Sequence, residues 1–539
     1  MKIIRKISPR LGIILLLVIL QIAAFIALVT FILIRFPVVS YIGFLISFLV
    51  FLFILKKDEA SAYKMTWIII ILLLPAVGGA MYLMYGKEHR ARRKIIAHVK
   101  EHALIAKLLD SDENLPDADQ VQCNRMYSLM QYVRHTSSYH GYKNTQAKYY
   151  PLGELMFNDM LSALEKAEKF IFLEYFIIYK SEMWDRLLDV LIRKAAQGIE
   201  VRLIIDDFGS QKLFTNAYIA KLRSQNIGVL RFNPLIPFIF AFMNNRDHRK
   251  ILVVDGHTAF VGGINISDDY INKISRLGVW KDTGIRLQGD GVWSFTLMFI
   301  EMWDTFCKAD ERITDYLIYK HEAIEGEAAQ AHAIDGTMNS LASGIRDTTA
   351  DDSTDQLTNG FVLPYGDSPL DHDRLGENIY LDILNQAVDY VYIFTPYLII
   401  SEKMTHALQM AAKRGVDVRI VTPGIPDKKI VFRLTRSYYT SLLEAGVRIY
   451  EYTPGFLHAK SFVSDDKIGV VGTINLDYRS LYLHFECAAL MYNCDAVIDM
   501  KEDCIATIAE SREIMLSESR VRSWMDLLDA FLHLFAPLM

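Results

Sequence analysis

Apolar residues run almost unbroken through the first 85 positions, whereas beyond about position 150 they fall into short blocks separated by amphipathic stretches. Residues 11–34 carry no charge, and at about 1.5 Å per helical residue they exceed a hydrocarbon core of roughly 30 Å. A cleaved signal peptide has an apolar region of only about 7–15 residues and a small-residue cleavage site, so this run reads as an anchor. Residues 38–55 form a second apolar run directly behind Arg35, Phe36 and Pro37, which predicts a tight helical hairpin. Residues 65–85 form a third, interrupted by Pro75 and by Gly78 and Gly79. Basic groups flank the set at Lys2, Arg5, Lys6 and Arg10, at Lys56, Lys57 and Lys64, and at Lys87, Arg90, Arg92, Arg93 and Lys94. Three full spans cannot keep all three groups cytoplasmic. Two readings stand: the third run re-enters or lies bent in the interface, or it is an ordinary span that tolerates its proline.

The later pattern is written twice. Ala167-Glu-Lys-Phe-Ile-Phe-Leu-Glu precedes a helix-like stretch and then Gly198-Ile-Glu-Val-Arg-Leu-Ile-Ile-Asp; Ala387-Val-Asp-Tyr-Val-Tyr-Ile-Phe precedes another and then Gly415-Val-Asp-Val-Arg-Ile-Val-Thr-Pro. Strand, helical crossover and second apolar strand is a β-α-β unit with strands buried between helices, so each copy is expected to be α/β. Residues 1–94 then form an anchor of two or three hydrophobic helices, 95–150 a connecting helical segment and 151–321 the first half. Residues 322–373, rich in Ala, Ser, Thr, Asp and Gly, read as a linker, and 374–539 as the second half with a C-terminal helix.

Composition narrows the function. The 539 residues exceed one hydrophobic core. Lys and Arg total 58 against 63 Asp and Glu, a net charge of −5, which argues against nucleic acid as a partner. The mean hydropathy of +0.18 reflects the N-terminal runs. Five cysteines without a Cys-x2-Cys pair or clustered His/Cys spacing predict reduced core thiols and no structural zinc; no cofactor is expected.

The candidate chemistry also comes in duplicate. His248-Arg-Lys-Ile-Leu-Val-Val-Asp255 matches His458-Ala-Lys-Ser-Phe-Val-Ser-Asp465, and Val261-Gly-Gly-Ile-Asn265 matches Val471-Gly-Thr-Ile-Asn475, each 210 residues after its counterpart. On an extended strand, residues two apart share a face, so His248 with Lys250, and His458 with Lys460, can converge on one anion. Asp255 and Asp465 stand just before turns; they either join the chemistry or hold their loops.

With both His-x-Lys-x4-Asp motifs in view, the chain from about Gly153 onward resembles the phospholipase D superfamily, whose two motifs meet at one site between pseudo-twofold halves. The fold it implies is two duplicated α/β/α halves in one catalytic unit behind an N-terminal transmembrane region. The resemblance implies that one histidine attacks phosphorus to give a phosphohistidine while the other protonates the leaving alkoxide. Lys250, Lys460, Asn265 and Asn475 would bind the non-bridging oxygens, with no metal required. The family also orients each histidine with a carboxylate, and the matching positions are Asp282 in Trp280-Lys-Asp-Thr and Glu486 in Leu483-His-Phe-Glu. His484 departs from the asparagine common in relatives.

Within the superfamily the chain is similar to bacterial cardiolipin synthases. The likeness lies in its membrane segments, Asn233-Pro-Leu, Gly262-Gly-Ile-Asn-Ile-Ser-Asp-Asp-Tyr270, Leu443-Glu-Ala-Gly-Val-Arg-Ile-Tyr450, Phe456-Leu-His-Ala-Lys460 and Asp477-Tyr-Arg-Ser480. That likeness implies phosphatidyl transfer from one phosphatidylglycerol to another, releasing glycerol. Phospholipids and the membrane are the expected partners; the chain is expected to be a multi-pass protein of the bacterial cell membrane, and the re-entrant reading of the third run leaves the catalytic region facing the cytoplasm. A hydrolytic phospholipase D or another phosphatidyltransferase is the alternative, whereas a silent scaffold would have an eroded motif. The apolar stretch 234–243 is expected to touch acyl chains or to be a buried loop. Lys428, Lys429, Arg433 and Arg436 are candidates for anionic headgroups or for plain surface charge. Trp524, Leu527, Leu528, Phe531, Leu532 and Phe535 recur at helical spacing, for a core-packing or membrane-surface helix.

Overall fold

The computed structural model describes residues 37–57, 61–85, 124–137, 139–234, 245–307, 313–316, 360–370 and 373–519, with scattered positions among 16–35 and His533. Most of the first apolar run, the stretch 235–244, most of the linker and the C-terminal helix fall outside those residues.

Two mixed sheets form the body. The first runs, in spatial order, Thr145–Tyr150, Gly284–Gly289, Thr258–Gly262, Lys250–Val254, Phe170–Tyr175, Glu200–Asp206 and Ile227–Phe232. The second runs Phe361–Asp367, His484–Tyr492, Ile468–Gly472, Ser461–Ser464, Tyr390–Phe394, Asp417–Pro423 and Arg448–Tyr452, closed by Ser511–Glu513. The seven positions correspond one to one, so the duplication extends to sheet topology.

Each central strand is apolar on both faces because both are covered. Ile171 and Leu173 face helices Gly153–Glu165 and Glu182–Ala196, while Phe170 and Phe172 join a core shared with the second half. Helix Val292–Cys307 lies in that shared core, with Phe295, Met298 and Phe299 fully buried. The crossover helices are built alike: the hydroxyls of Ser181 and Ser401 cap them by accepting the Trp184 and Met404 amides. Gly198 and Gly415 follow them at φ +90° and +94°. No atom crowds a Cβ at either, so glycine is required by backbone conformation alone.

Two boundaries shift. Strand Thr145–Tyr150 pairs antiparallel with Gly284–Gly289, so the first half begins before residue 151. Strand Phe361–Asp367 pairs with His484–Tyr492, so the expected linker supplies an edge of the second sheet. The connecting segment does hold a helix, Asn124–Thr136, whose Met126, Met130 and Val133 enter the shared core.

At the N-terminus, Pro37–Lys56 is helical as expected, but the third run is two helices, Ser61–Leu73 and Pro75–Tyr85. They fold back on each other: Trp67 and Tyr82 meet edge to face at 5.3 Å, and a Cβ on Gly78 would strike the Ile71 backbone. Gly79 lies against Ser47 of the preceding helix. Among the described residues no helix is long and apolar enough to cross a membrane, so the expected spanning region is not met there.

Candidate active site

His248 and His458 are mounted by strands from the opposite half. Arg246–Asp247 pairs parallel with His484 and Phe485, just before Glu486, and the His248 amide donates to the Phe485 carbonyl at 2.9 Å. Gly455–Leu457 pairs parallel with Val279–Lys281, just before Asp282, and the His458 amide donates to the Lys281 carbonyl at 2.7 Å. The carboxylates are therefore exchanged between halves. His248 Nδ1 lies 2.9 Å from both Glu486 oxygens, and His458 Nδ1 lies 2.6 Å from Asp282 Oδ2. Both acids are fully buried.

The two dyads are not electrostatically equal. Burial pushes Glu486 up to about 7, against the pull of Lys250 and its hydrogen bond from the Thr473 hydroxyl. Burial would also raise Asp282, but His458 and Lys460 outweigh it and hold the carboxyl below its usual range. Burial lowers His458 to about 4, aided by Lys460, and drives His248 well below its ordinary value, aided by both lysines. Both shifts favour the neutral imidazole. Burial likewise lowers Lys250 to about 8 and Lys460 to about 7. Both ammonium groups are turned back onto the carbonyl of the histidine two residues earlier.

Asn265 and Asn475 line the same cleft of about 480 Å³ as the two histidines. Asn265 accepts from the Ile177 amide and donates to the Tyr270 hydroxyl; Asn475 donates to Ser480, while its carbonyl oxygen is buried without a partner. Aromatic walls stand against the imidazoles, Phe176 at 5.0 Å from His248 and Trp280 at 5.5 Å from His458.

Asp255 and Asp465 are not at this cleft, which corrects their expected place among the catalytic residues. Each sits past the far end of its strand at φ +53° and accepts from three successive backbone amides, of residues 168–170 and 388–390 respectively. They tie the turn after the motif strand to the start of the central strand.

Sequence reading missed Arg246 and Arg479, both lining the cleft. Arg246 was within reach, because the two-residue alternation that joins His248 to Lys250 extends one step back to it. In the second half Phe456 holds that place, so this cation has no counterpart there, although Arg276 and Lys428 also line the cleft. Arg479 comes from helix Tyr478–Tyr482, capped by Asp477, and no strand alternation points to it.

Comparison with known proteins agrees with this geometry. Residues 160–279 and 380–504 match the family described as cardiolipin synthase, PLD-like domain, and residues 44–87 match the phospholipase D-nuclease N-terminal family. An uncharacterized protein of Streptococcus mutans serotype c is 44% identical over 86% of this chain and 94% of its own. A cardiolipin synthase of Halalkalibacterium halodurans is 31% identical over 90% of this chain and 91% of its own. Among solved structures, phosphatidylserine synthase of Haemophilus influenzae shares the fold with a TM-score of 0.51 at 15% identity, over 73% of this chain and 93% of that one. With its paired motif strands, exchanged carboxylates and full-length relatives, the chain belongs to the cardiolipin synthase family, phosphatidyltransferases of the phospholipase D type.

Proposed function

We propose that this chain makes cardiolipin from two phosphatidylglycerol molecules through a phosphohistidine. The observation that carries the reading is the pair of histidines in one cleft, each held at Nδ1 by a carboxylate from the other half. That contact fixes the tautomer and leaves Nε2 for chemistry. One Nε2 attacks phosphorus as the P–O bond to glycerol breaks. The other imidazole, which gains its proton when the phosphodiester anion enters between Lys250 and Lys460, protonates the departing alkoxide. In the second step that same imidazole deprotonates the hydroxyl of the incoming phosphatidylglycerol, which displaces the histidine. The two lysines and the asparagine amides stabilise charge on the non-bridging oxygens.

Membrane attachment belongs to the same proposal. Helix Pro37–Lys56 leaves Ile42, Phe44, Phe48, Leu49 and Leu52 exposed, an apolar band of the kind that meets lipid. The back-folded pair at 61–85 supports re-entry over a further span, which leaves the catalytic region cytoplasmic. A topology reporter fused after Lys94 checks this, and extracellular signal would sink it.

For the reaction, reconstituted protein is given headgroup-labelled phosphatidylglycerol, comparing wild type with His248→Ala and His458→Ala. Cardiolipin with one glycerol per turnover, lost in both variants, is the expected result. Phosphatidic acid in place of cardiolipin would make the chain a hydrolase.

A further inference from the structure

Sequence spacing gives no metal-ligating cluster, but folding assembles one from two places in the chain some 236 residues apart. One ligand atom each of His248, His484 and Glu486 lie within 4.8 Å of one another. His484 and Glu486 share a strand face at a two-residue interval, and the cross-half pairing of Arg246–Asp247 brings His248 beside them. The His248 and His484 rings stand 5.7 Å apart. His484 Nδ1 is 3.9 Å from Glu486, beyond hydrogen-bond range, and neither of its ring nitrogens has a hydrogen-bond partner although the side chain is only 11% exposed. A buried imidazole with both nitrogens idle is costly, and nothing in the transfer chemistry above uses it. The other dyad has no counterpart, because Trp280 occupies the position two residues before Asp282.

We propose that His248, His484 and Glu486 form a site for one borderline transition-metal dication, Zn²⁺ or Cu²⁺, whose binding shuts off the transferase. The inhibitory part rests on the phosphatidyl-transfer reading of the same cleft. Two imidazoles and one carboxylate are a donor set zinc takes with an open fourth position, whereas Mg²⁺ and Ca²⁺ prefer oxygen ligands. Zinc–nitrogen bonds of about 2.0–2.1 Å place neighbouring ligand atoms roughly 3.3 Å apart, so the widest separation in the cluster must close by no more than about 1.5 Å. Rotation of the His484 ring, which no hydrogen bond restrains, provides that movement. Neighbouring cations, Lys250, Arg246 and Arg479 among them, oppose a dication and make the site a reversible brake rather than a structural zinc. A ligated His248 can neither attack phosphorus nor transfer a proton.

The test uses full-length protein in detergent, stripped with EDTA. Zinc is titrated against a chromogenic chelator, Co²⁺ is added for its ligand-field spectrum, and cardiolipin formation is followed with zinc and again after EDTA. His484→Asn and His484→Gln are treated alike, each inhibition curve scaled to its own metal-free rate and each variant's folding checked by thermal melting. The expected result is one zinc per chain, tetrahedral cobalt bands without thiolate charge transfer, activity lost in step with occupancy and restored by EDTA, and at least about tenfold weaker inhibition in both variants. Absence of bound metal, a thiolate signature from the buried cysteines, or unshifted inhibition in folded variants would overturn the site. If metal-free protein makes no cardiolipin, the transferase reading fails while the cobalt spectrum still decides the metal site.

Discussion

At the scale of single residues the two acid types do different work. Asp282 and Glu486 touch histidine; Asp255 and Asp465 touch backbone. Asp282→Asn should therefore lower kcat about 100-fold or more with little change in KM, since the amide cannot hold the same tautomer or stabilise an imidazolium. Asp255→Ala should leave turnover per folded molecule near wild type but reduce stability by about 1–3 kcal/mol, because three amides lose a partly exposed acceptor. Denaturant titration beside steady-state kinetics separates these outcomes. The lowered lysines set a pH dependence of definite sign. Ammonium groups at about 8 and about 7 lose charge as pH rises through those values, far below an ordinary lysine, so kcat/KM should fall from near pH 7 upward. On the acid side, His458 stays neutral down to about pH 4. A profile on mixed vesicles that is flat to pH 9 would refute this. The histidines, lysines and asparagines were legible in the sequence because a two-residue period and a repeat fix them. Which carboxylate serves which histidine was not, since the exchange is decided by strand pairing between segments some 200 residues apart.

At the scale of elements, the crossover units were the most legible part of the fold. Their strands are apolar on both faces, their helices begin at Ser181 and Ser401, and their turns end in glycine. Gly198→Ala and Gly415→Ala should each cost about 1 kcal/mol, read as a shift in denaturation midpoint, because a Cβ is strained at those φ values though it meets no neighbour. The edge strands Thr145–Tyr150 and Phe361–Asp367 were illegible for the opposite reason. They lie outside the repeated β-α-β pattern and become strands only because a partner offers its edge. The third apolar run shows the same override: its hydropathy reads as one segment, yet the break at Leu74 and close packing at Gly78 make it two helices. Gly79→Leu should break the contact with Ser47, measured as a lower melting temperature in detergent micelles.

At the scale of the whole molecule, the shared core and the exchanged dyads make the halves one unit. Helix Val292–Cys307, buried against both sheets, would expose its apolar surface if the halves were parted. Either half produced alone should be inactive and aggregation-prone, and co-production from separate messages should restore transfer; activity in an isolated half would contradict the arrangement. The exchange also bears on descent. Had a single ancestral half existed with this geometry, its histidine would have faced solvent without the carboxylate that orients it. Two copies docked face to face would have completed both sites at once. Selection would then have acted on a symmetric dimer before the gene was ever doubled, and fusion added only permanence to a partnership already required. The unequal dyads show what fusion permits, because once each position exists in two separately inherited versions the halves can differ, as Asp282 and Glu486, Gly263 and Thr473, and Trp280 and His484 do.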